Sequence, residues 1–397
     1  MPRPHVALPT QISLLRICAQ GLVPATAARS VAEVTDRLLA VQGQQVSALP
    51  HALLARCPGA RGSDVARAFN QGLLVRHRPM RGTVHITHAR DFHWMRLALK
   101  EKIPTWEARE RQRLGIDDAV CAQAAEVSWE AIAAAGGRRE RAALFAAWID
   151  ALAPTHLTDS RSQRRWCQCL MWSLARQGAV IEGPLGTNQH YFIDARTLPA
   201  ADAPQSGFPL TPATRERGLT EIARRYILGH GPVSVADLSW WTGLGIRHSA
   251  ELLEAACAAD STLGRYQLSA AGGEDGALVP ADPARTAQQR RGLLYMSTQL
   301  PSILADNYAD ATRLLFLPSF DEIYVGYTNR TCLTDAAGDQ LICPARNGMF
   351  RPLIINNGRL IGVRPVKEGV QWLRRPPART QAAAHTLIDA TLARLGS

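Results

Sequence analysis

The chain has 397 residues, 46% apolar and 20% charged, enough for two to four folded domains and unlike a disordered or fibrous protein. A net charge of +11 favours a polyanionic partner, nucleic acid ahead of a membrane surface. No leader-like start and no apolar run near the ~20 residues needed to span a bilayer occur, and eight scattered cysteines without a Cys-x-x-Cys pair give zinc ribbons and iron–sulfur clusters no support.

These features lead us to expect reduced cysteines, in a cytoplasm; we further expect a monomer with no metal and no cofactor. Lysine occurs only at Lys100, Lys102 and Lys367, so 42 of the 45 basic residues are arginine. A GC-rich genome accounts for most of that bias. Its chemical consequence is that a Schiff base between a lysine and a sugar has three candidates, none in a suggestive context.

In chain order, Ser30 is placed to cap a helix over Val31 to Val41 with Ala32, Val34, Leu38 and Leu39 on its apolar face. Helices follow over Leu49 to Arg56 and, after a Ser63 cap, over Asp64 to Asn70, which Gly72 ends. Leu73 to His77 and Thr83 to Thr87 alternate as a hairpin around Arg78 to Gly82. Three helices and a hairpin is the order of a winged helix.

A second block starts near Arg141. Helices are predicted over Ala142 to Leu152 and Ser160 to Gln177, then strands over Ala179 to Glu182 and His190 to Ile193, joined by a wing-like Gly183 to Asn188. The third block is a helix-turn-helix. Glu221 to Leu228 is stopped by Gly229 and Gly231-Pro232, Ser234 caps Val235 to Trp241, and Ile246 to Ala256 follows a Gly-rich turn. Leu315 to Leu317 and Leu353 to Ile355 read as strands, and Asn356-Asn357-Gly358 as a hairpin turn leading to Leu360 to Val363. Pro199 to Pro212 and Ala270 to Pro283 read as linkers or surface loops.

The expected fold is therefore mainly α with short antiparallel β hairpins (α+β): about three tandem winged-helix domains plus a C-terminal β-rich portion. The expected boundaries are 1–135, 136–200, 201–290 and 291–397, the last region completing a DNA cleft.

The most informative local feature is Val41-Gln42-Gly43-Gln44, followed some thirty residues later by the basic hairpin. Residues i and i+2 share a side of an extended chain but diverge by about 200° on a helix. The pair can therefore act together only where the first helix has ended, and Gly43 suits such an end. Spacing alone reads more readily as a polar helix terminus.

Three stretches give the chain a wider likeness. They are Val41 to Gln44 with Leu74-Val75-Arg76 and Met80 to His85; Gly231 to Ser234 with Trp240 to Leu244; and Leu317 to Glu322 with Gly326 to Arg330, Phe350 to Pro352 and Gly358 to Gly362. In these the chain resembles the bacterial winged-helix DNA glycosylases of the AlkZ/YcaQ type. The resemblance implies monofunctional excision of alkylated purines from double-stranded DNA, in some members from interstrand crosslinks. It puts the family's catalytic pair, of the form Gln-apolar-Gln or Gln-apolar-Asp, on Gln42 and Gln44, with Gly43 smaller than the usual middle residue.

A purine alkylated on its major-groove ring nitrogen is already cationic and leaves as a neutral base, so no general acid is needed. What remains is to hold a water against an oxocarbenium-like sugar. Two amide carbonyls can accept from that water and turn their dipoles toward the developing charge.

Arg76, Arg78 and Arg81 read as phosphate contacts or as a solvated strand face, and Arg161, Arg164 and Arg165 as contacts at the head of a recognition helix or as an exposed face. Arg330 and Arg351 join the DNA-contact set, and His85, Asp321 and Tyr327 the residues lining a cleft. His85 and His88 are better read as structural than as metal ligands, and Trp240 and Trp241 as core. The alternative function is a non-catalytic winged-helix DNA-binding protein, such as a transcriptional regulator. A small-molecule enzyme lacks a nucleotide-cradling glycine loop or a nucleophile elbow to support it.

Overall fold

A computed structural model describes residues 7–99, 105–186, 189–206, 211, 214–269, 277–283, 286–366 and 368–396. Lys100, Lys102 and Lys367, the Thr187-Asn188 end of the second hairpin loop, and parts of both proposed linkers lie outside the described residues. The chain divides into two compact units, Met1–Val65 with Leu219–Ser397, and Ala66–Gly218. The fold is mainly helical with small antiparallel sheets, the class expected from the sequence.

The first unit opens with α1 (Thr10–Ala19), a nearly all-buried helix absent from the sequence reading. Ser30 caps α2 (Val31–Leu38) as expected, its hydroxyl accepting from the Glu33 amide at 3.3 Å. The helix stops three residues early. Leu39, fully buried, takes φ +63° and ψ −48°, close to a rare and strained tight-turn geometry, and the chain continues extended as β1 (Ala40–Gln42). After α3 (Leu49–Leu54), α4 (Gly62–Asn70) begins one residue before the expected cap. Asp64, not Ser63, meets the end of the helix, accepting from the Arg61 amide at 2.7 Å.

The second unit carries β2 (Leu74–Met80) and β3 (Thr83–His88), then α5 (Phe92–Leu99), α6 (Thr105–Arg113), α7 (Asp118–Ala134), α8 (Arg141–Leu152) and α9 (Ser160–Gln177), and closes with β4 (Val180–Leu185) and β5 (His190–Asp194). Its strands pair antiparallel in the order β3-β2-β4-β5. Arg81 and Gly82 both take positive φ, as a two-residue hairpin turn requires. The expected span of α9 is matched at both ends. Asp159 accepts from the Arg161 and Ser162 amides, and Gly178 closes the helix in the left-handed region. Trp148, Trp166, Leu170 and Phe192 lie at the centre of the core that α7, α8 and α9 share with the strands.

The first unit resumes in α10 (Arg215–His230). This helix runs through Gly229 instead of stopping there, because that glycine serves packing: a Cβ would stand 2.3 Å from the Arg37 carbonyl oxygen of α2. Ser234 and Asp237 form the capping box of α11 (Val235–Thr242), and α12 (Ile246–Ala259) follows. Then come β6 (Leu263–Leu268), β7 (Leu278–Pro280), α13 (Ala287–Gly292), β8 (Leu294–Ser297), α14 (Leu300–Asp306), α15 (Tyr308–Thr312), β9 (Leu315–Leu317), α16 (Glu322–Val325), α17 (Ala336–Ile342), β10 (Leu353–Asn356), β11 (Arg359–Val363), β12 (Gln371–Trp372) and α18 (Ala378–Leu395).

These strands form sheets in the orders β7-β6-β8 and β12-β11-β10-β9. Asn357 and Gly358 at positive φ make the predicted hairpin between β10 and β11. The main core of this unit packs α1 against α14, α16 and the second sheet. No helix among the described residues is long and apolar enough to cross a membrane.

Candidate active site

Gln42 is the last residue of β1 and is 8% exposed, while Gln44 lies two residues on in a bend and is exposed. The backbone reaches Gln42 extended because Leu39 has already turned it out of α2. What fixes Gln42 is distant in sequence. Its backbone N–H donates to Oε1 of Glu322 at 2.8 Å, across 280 residues, inside the first unit.

Glu322 is 1% exposed, and its other oxygen accepts from the Trp241 indole N–H at 3.2 Å and lies 3.3 Å from Nε2 of His230. The His230 ring stacks on Tyr226, with centroids 4.6 Å apart. A buried carboxylate is costly unless its oxygens are satisfied, and here three nitrogen groups face it.

The network continues behind this contact. The Tyr327 hydroxyl donates to the His230 carbonyl at 2.7 Å and accepts from Gln20 at 3.0 Å. Gln20 accepts from Arg56 at 2.6 Å, and Arg56 grips Asp321 with two bonds of 2.8 Å. Burial alone would lower the Arg56 guanidinium; the Asp321 carboxylate reverses this and raises it. Arg16 lies 3.6 Å over the Tyr327 ring and 3.5 Å from Asp237. Burial pushes the Tyr327 phenol well above its ordinary value, so it stays a neutral donor.

Phe320, just before this acid pair, has φ +62°. Two of the five non-glycine residues with positive φ among those described, Leu39 and Phe320, thus flank the Gln42–Glu322 contact. Positive φ at such residues is strained backbone, and here the surrounding buried network holds it.

Asp321 and Tyr327, expected to line a cleft, are 1% and 0% exposed within this network. Glu322, His230, Gln20 and Arg56 carry no role in the sequence reading. Glu322 sits beside Asp321 in one of the family-like stretches, but nothing in its spacing points to Gln42.

The remaining candidates disperse. Arg76 is buried and ion-paired with Glu182, which also holds Arg141 at 3.0 Å. Arg78 and Arg81 stand at the hairpin turn. His85 is fully buried, with Nδ1 3.0 Å from the Thr83 carbonyl. Arg161, Arg164 and Arg165 lie at the start of α9, where Arg165 pairs with Glu110. Arg330 donates to the Tyr324 carbonyl and lies over the Tyr324 ring at 4.3 Å; Arg351 donates to Gln371 at 2.8 Å. Among the described residues no three metal-ligating side chains gather into a site.

The family described as AlkZ-like, DNA glycosylase AlkZ-like, matches residues 35–397. Among solved structures, the Streptomyces sahachiroi DNA glycosylase AlkZ has a similar fold, with a TM-score of 0.63 over 97% of this chain and 96% of that one. At 18% identity that likeness concerns the fold. No curated protein matches.

Proposed function

Because this chain belongs to the AlkZ-like DNA glycosylase family, we propose that it is a monofunctional glycosylase that hydrolyses the N-glycosidic bond of alkylated purines in double-stranded DNA. The observation that carries this reading is the placement of Gln42, whose backbone is tied to buried Glu322 on an extended segment that then presents Gln44. Such an anchor fixes the backbone from which the two neutral amides project, and so lowers the entropic cost of aiming them on binding.

An N7-alkylguanine carries its positive charge before the enzyme acts. As the C1′–N9 bond breaks, its electron pair flows into the base and neutralises it. Water held by the carbonyls of Gln42 and Gln44 adds to C1′ and releases its proton to solvent, since an amide cannot keep one at neutral pH. The amide dipoles favour the positive sugar, so charged, labile lesions react and intact bases do not.

A purine linked through N7 in a crosslink has the same charge. The mechanism therefore extends to interstrand crosslinks and natural-product adducts, and would protect a producing cell from its own alkylating metabolite. Arg78, Arg81, Arg161 and Arg164 are the arginines best placed to meet phosphates, because they stand at a hairpin turn or at the start of a helix.

The test is incubation with duplex DNA containing N7-methylguanine, read as free base and as abasic sites. Gln42→Ala should cut release about 10²- to 10³-fold, as removing one preorganised polar group does elsewhere, with DNA affinity nearly unchanged. Base release that survives loss of both Gln42 and Gln44 refutes the chemistry. No release, with strong preference for one DNA sequence, would instead identify a regulator.

A further inference from the structure

The second unit holds a recess of about 190 Å³ lined by Arg78, Arg81, Trp106, Glu107, Trp172 and Arg176. Trp106 opens α6 and is 57% exposed. A single exposed tryptophan is unremarkable on its own, but this one has a partner. Its ring meets Trp172 of α9 edge to face, with centroids 5.5 Å apart and planes at 86°. The Arg78 guanidinium lies 5.5 Å from the Trp172 ring centroid, and burial pushes that guanidinium below its ordinary value. The Trp172 indole N–H is buried without an acceptor among the described residues.

Size and charge narrow what fits. The volume is below the roughly 300–1,000 Å³ of drug-sized sites, so it suits one ring system and not a nucleotide. Arg176 binds Glu107 through two bonds of 2.7 and 2.6 Å, and the lining as a whole has three arginines against this one glutamate, a positive excess. That excess repels a cationic alkylpurine and favours a neutral ring carried by a polyanion.

We propose that Trp106, Trp172 and Arg78 form a stacking site for one neutral planar aromatic ring brought in with the DNA. This rests on the reading of the protein as a DNA glycosylase, but it concerns a site apart from the amide pair. The ring can come from an unstacked nucleobase or from an aryl arm on the adduct. Either would lie against the exposed Trp106 ring, with the phosphates of the DNA that carries it toward Arg78 and Arg81.

The experiment measures affinity of the full chain by fluorescence anisotropy for three labelled duplexes. One is fully paired, one carries a single unpaired thymine, and one is fully paired with an N7-arylmethylguanine. Trp106→Ala should weaken binding to a ring-presenting duplex by about 5- to 100-fold relative to the plain duplex, the range that base–aromatic stacking supports, and Trp106→Phe should restore most of it.

A loss confined to the thymine duplex assigns the ring to a nucleobase, and one confined to the aryl lesion assigns it to the adduct. An unchanged affinity for all three duplexes, or an equal loss on all three, overturns the proposal. Because the readout is binding, failure of the glycosylase reading would show separately, as absent base release with the affinity pattern intact.

Discussion

Replacing Glu322 with glutamine isolates the anchor of the candidate site with little change in volume. In the native protein one carboxylate oxygen accepts from the Gln42 backbone at 2.8 Å, and the other from the Trp241 indole N–H. A glutamine in its place must turn its NH2 toward one of two groups that only donate, since indole nitrogen and backbone amide have no lone pair to offer. The exchange also turns a charge-assisted hydrogen bond into a neutral one, a loss of about 1–2 kcal/mol. If that loss appears in the transition state, base release falls about 5- to 30-fold.

The assay is single-turnover release from an N7-methylguanine duplex, with anisotropy to confirm that DNA still binds and urea unfolding to confirm the fold. A merely structural role is separated by a cycle with Gln42→Ala. If Glu322 acts by aiming Gln42, the effect of Glu322→Gln should shrink by about 3-fold or more in the Gln42→Ala background. Equal effects in both backgrounds, or a wild-type rate for the single variant, refute the positioning argument.

Two further predictions concern charge. Burial, assisted by His85, Arg96 and His93, pushes the His77 imidazole down to about 3, and burial takes His51 down to about 4. The unfolded chain therefore binds protons that the native chain refuses below an ordinary value of about 6.5, and each histidine costs about 1.4 kcal/mol per pH unit as pH falls through that window. Urea midpoints at pH 7, 6 and 5 should drop in sequence, and a flat profile contradicts the burial.

For DNA, Arg161→Ala with Arg164→Ala should lower the slope of log affinity against log salt by about 0.9 for each phosphate the protein no longer neutralises. Arg76→Ala should leave that slope unchanged and instead cost about 1–3 kcal/mol of stability, because its guanidinium is engaged by Glu182. The reverse pattern would exchange the roles of these arginines.

What the sequence made legible was set by neighbours a few residues apart. The ends of α9, the capping of α11 by Ser234 and the Asn357-Gly358 turn follow from local hydrogen bonding and from permitted φ values, and the structure places them as read. The misreadings arise where tertiary packing overrides local preference. Gly229 looks like a helix stop, yet it is the residue that lets α10 approach the Arg37 carbonyl.

Leu39 looks like one more apolar residue of α2. Burial of the whole Leu38 to Val41 run instead holds it in a strained turn. That override places Gln42 on extended chain, and the carboxylate that fixes it lies 280 residues away. The spacing of the two glutamines therefore states only what an extended backbone could do with them. The extension itself is held by the convergence of β1, α10 and α11 on one buried acid of α16, and a site made this way should lose its geometry through Glu322 before it loses its fold.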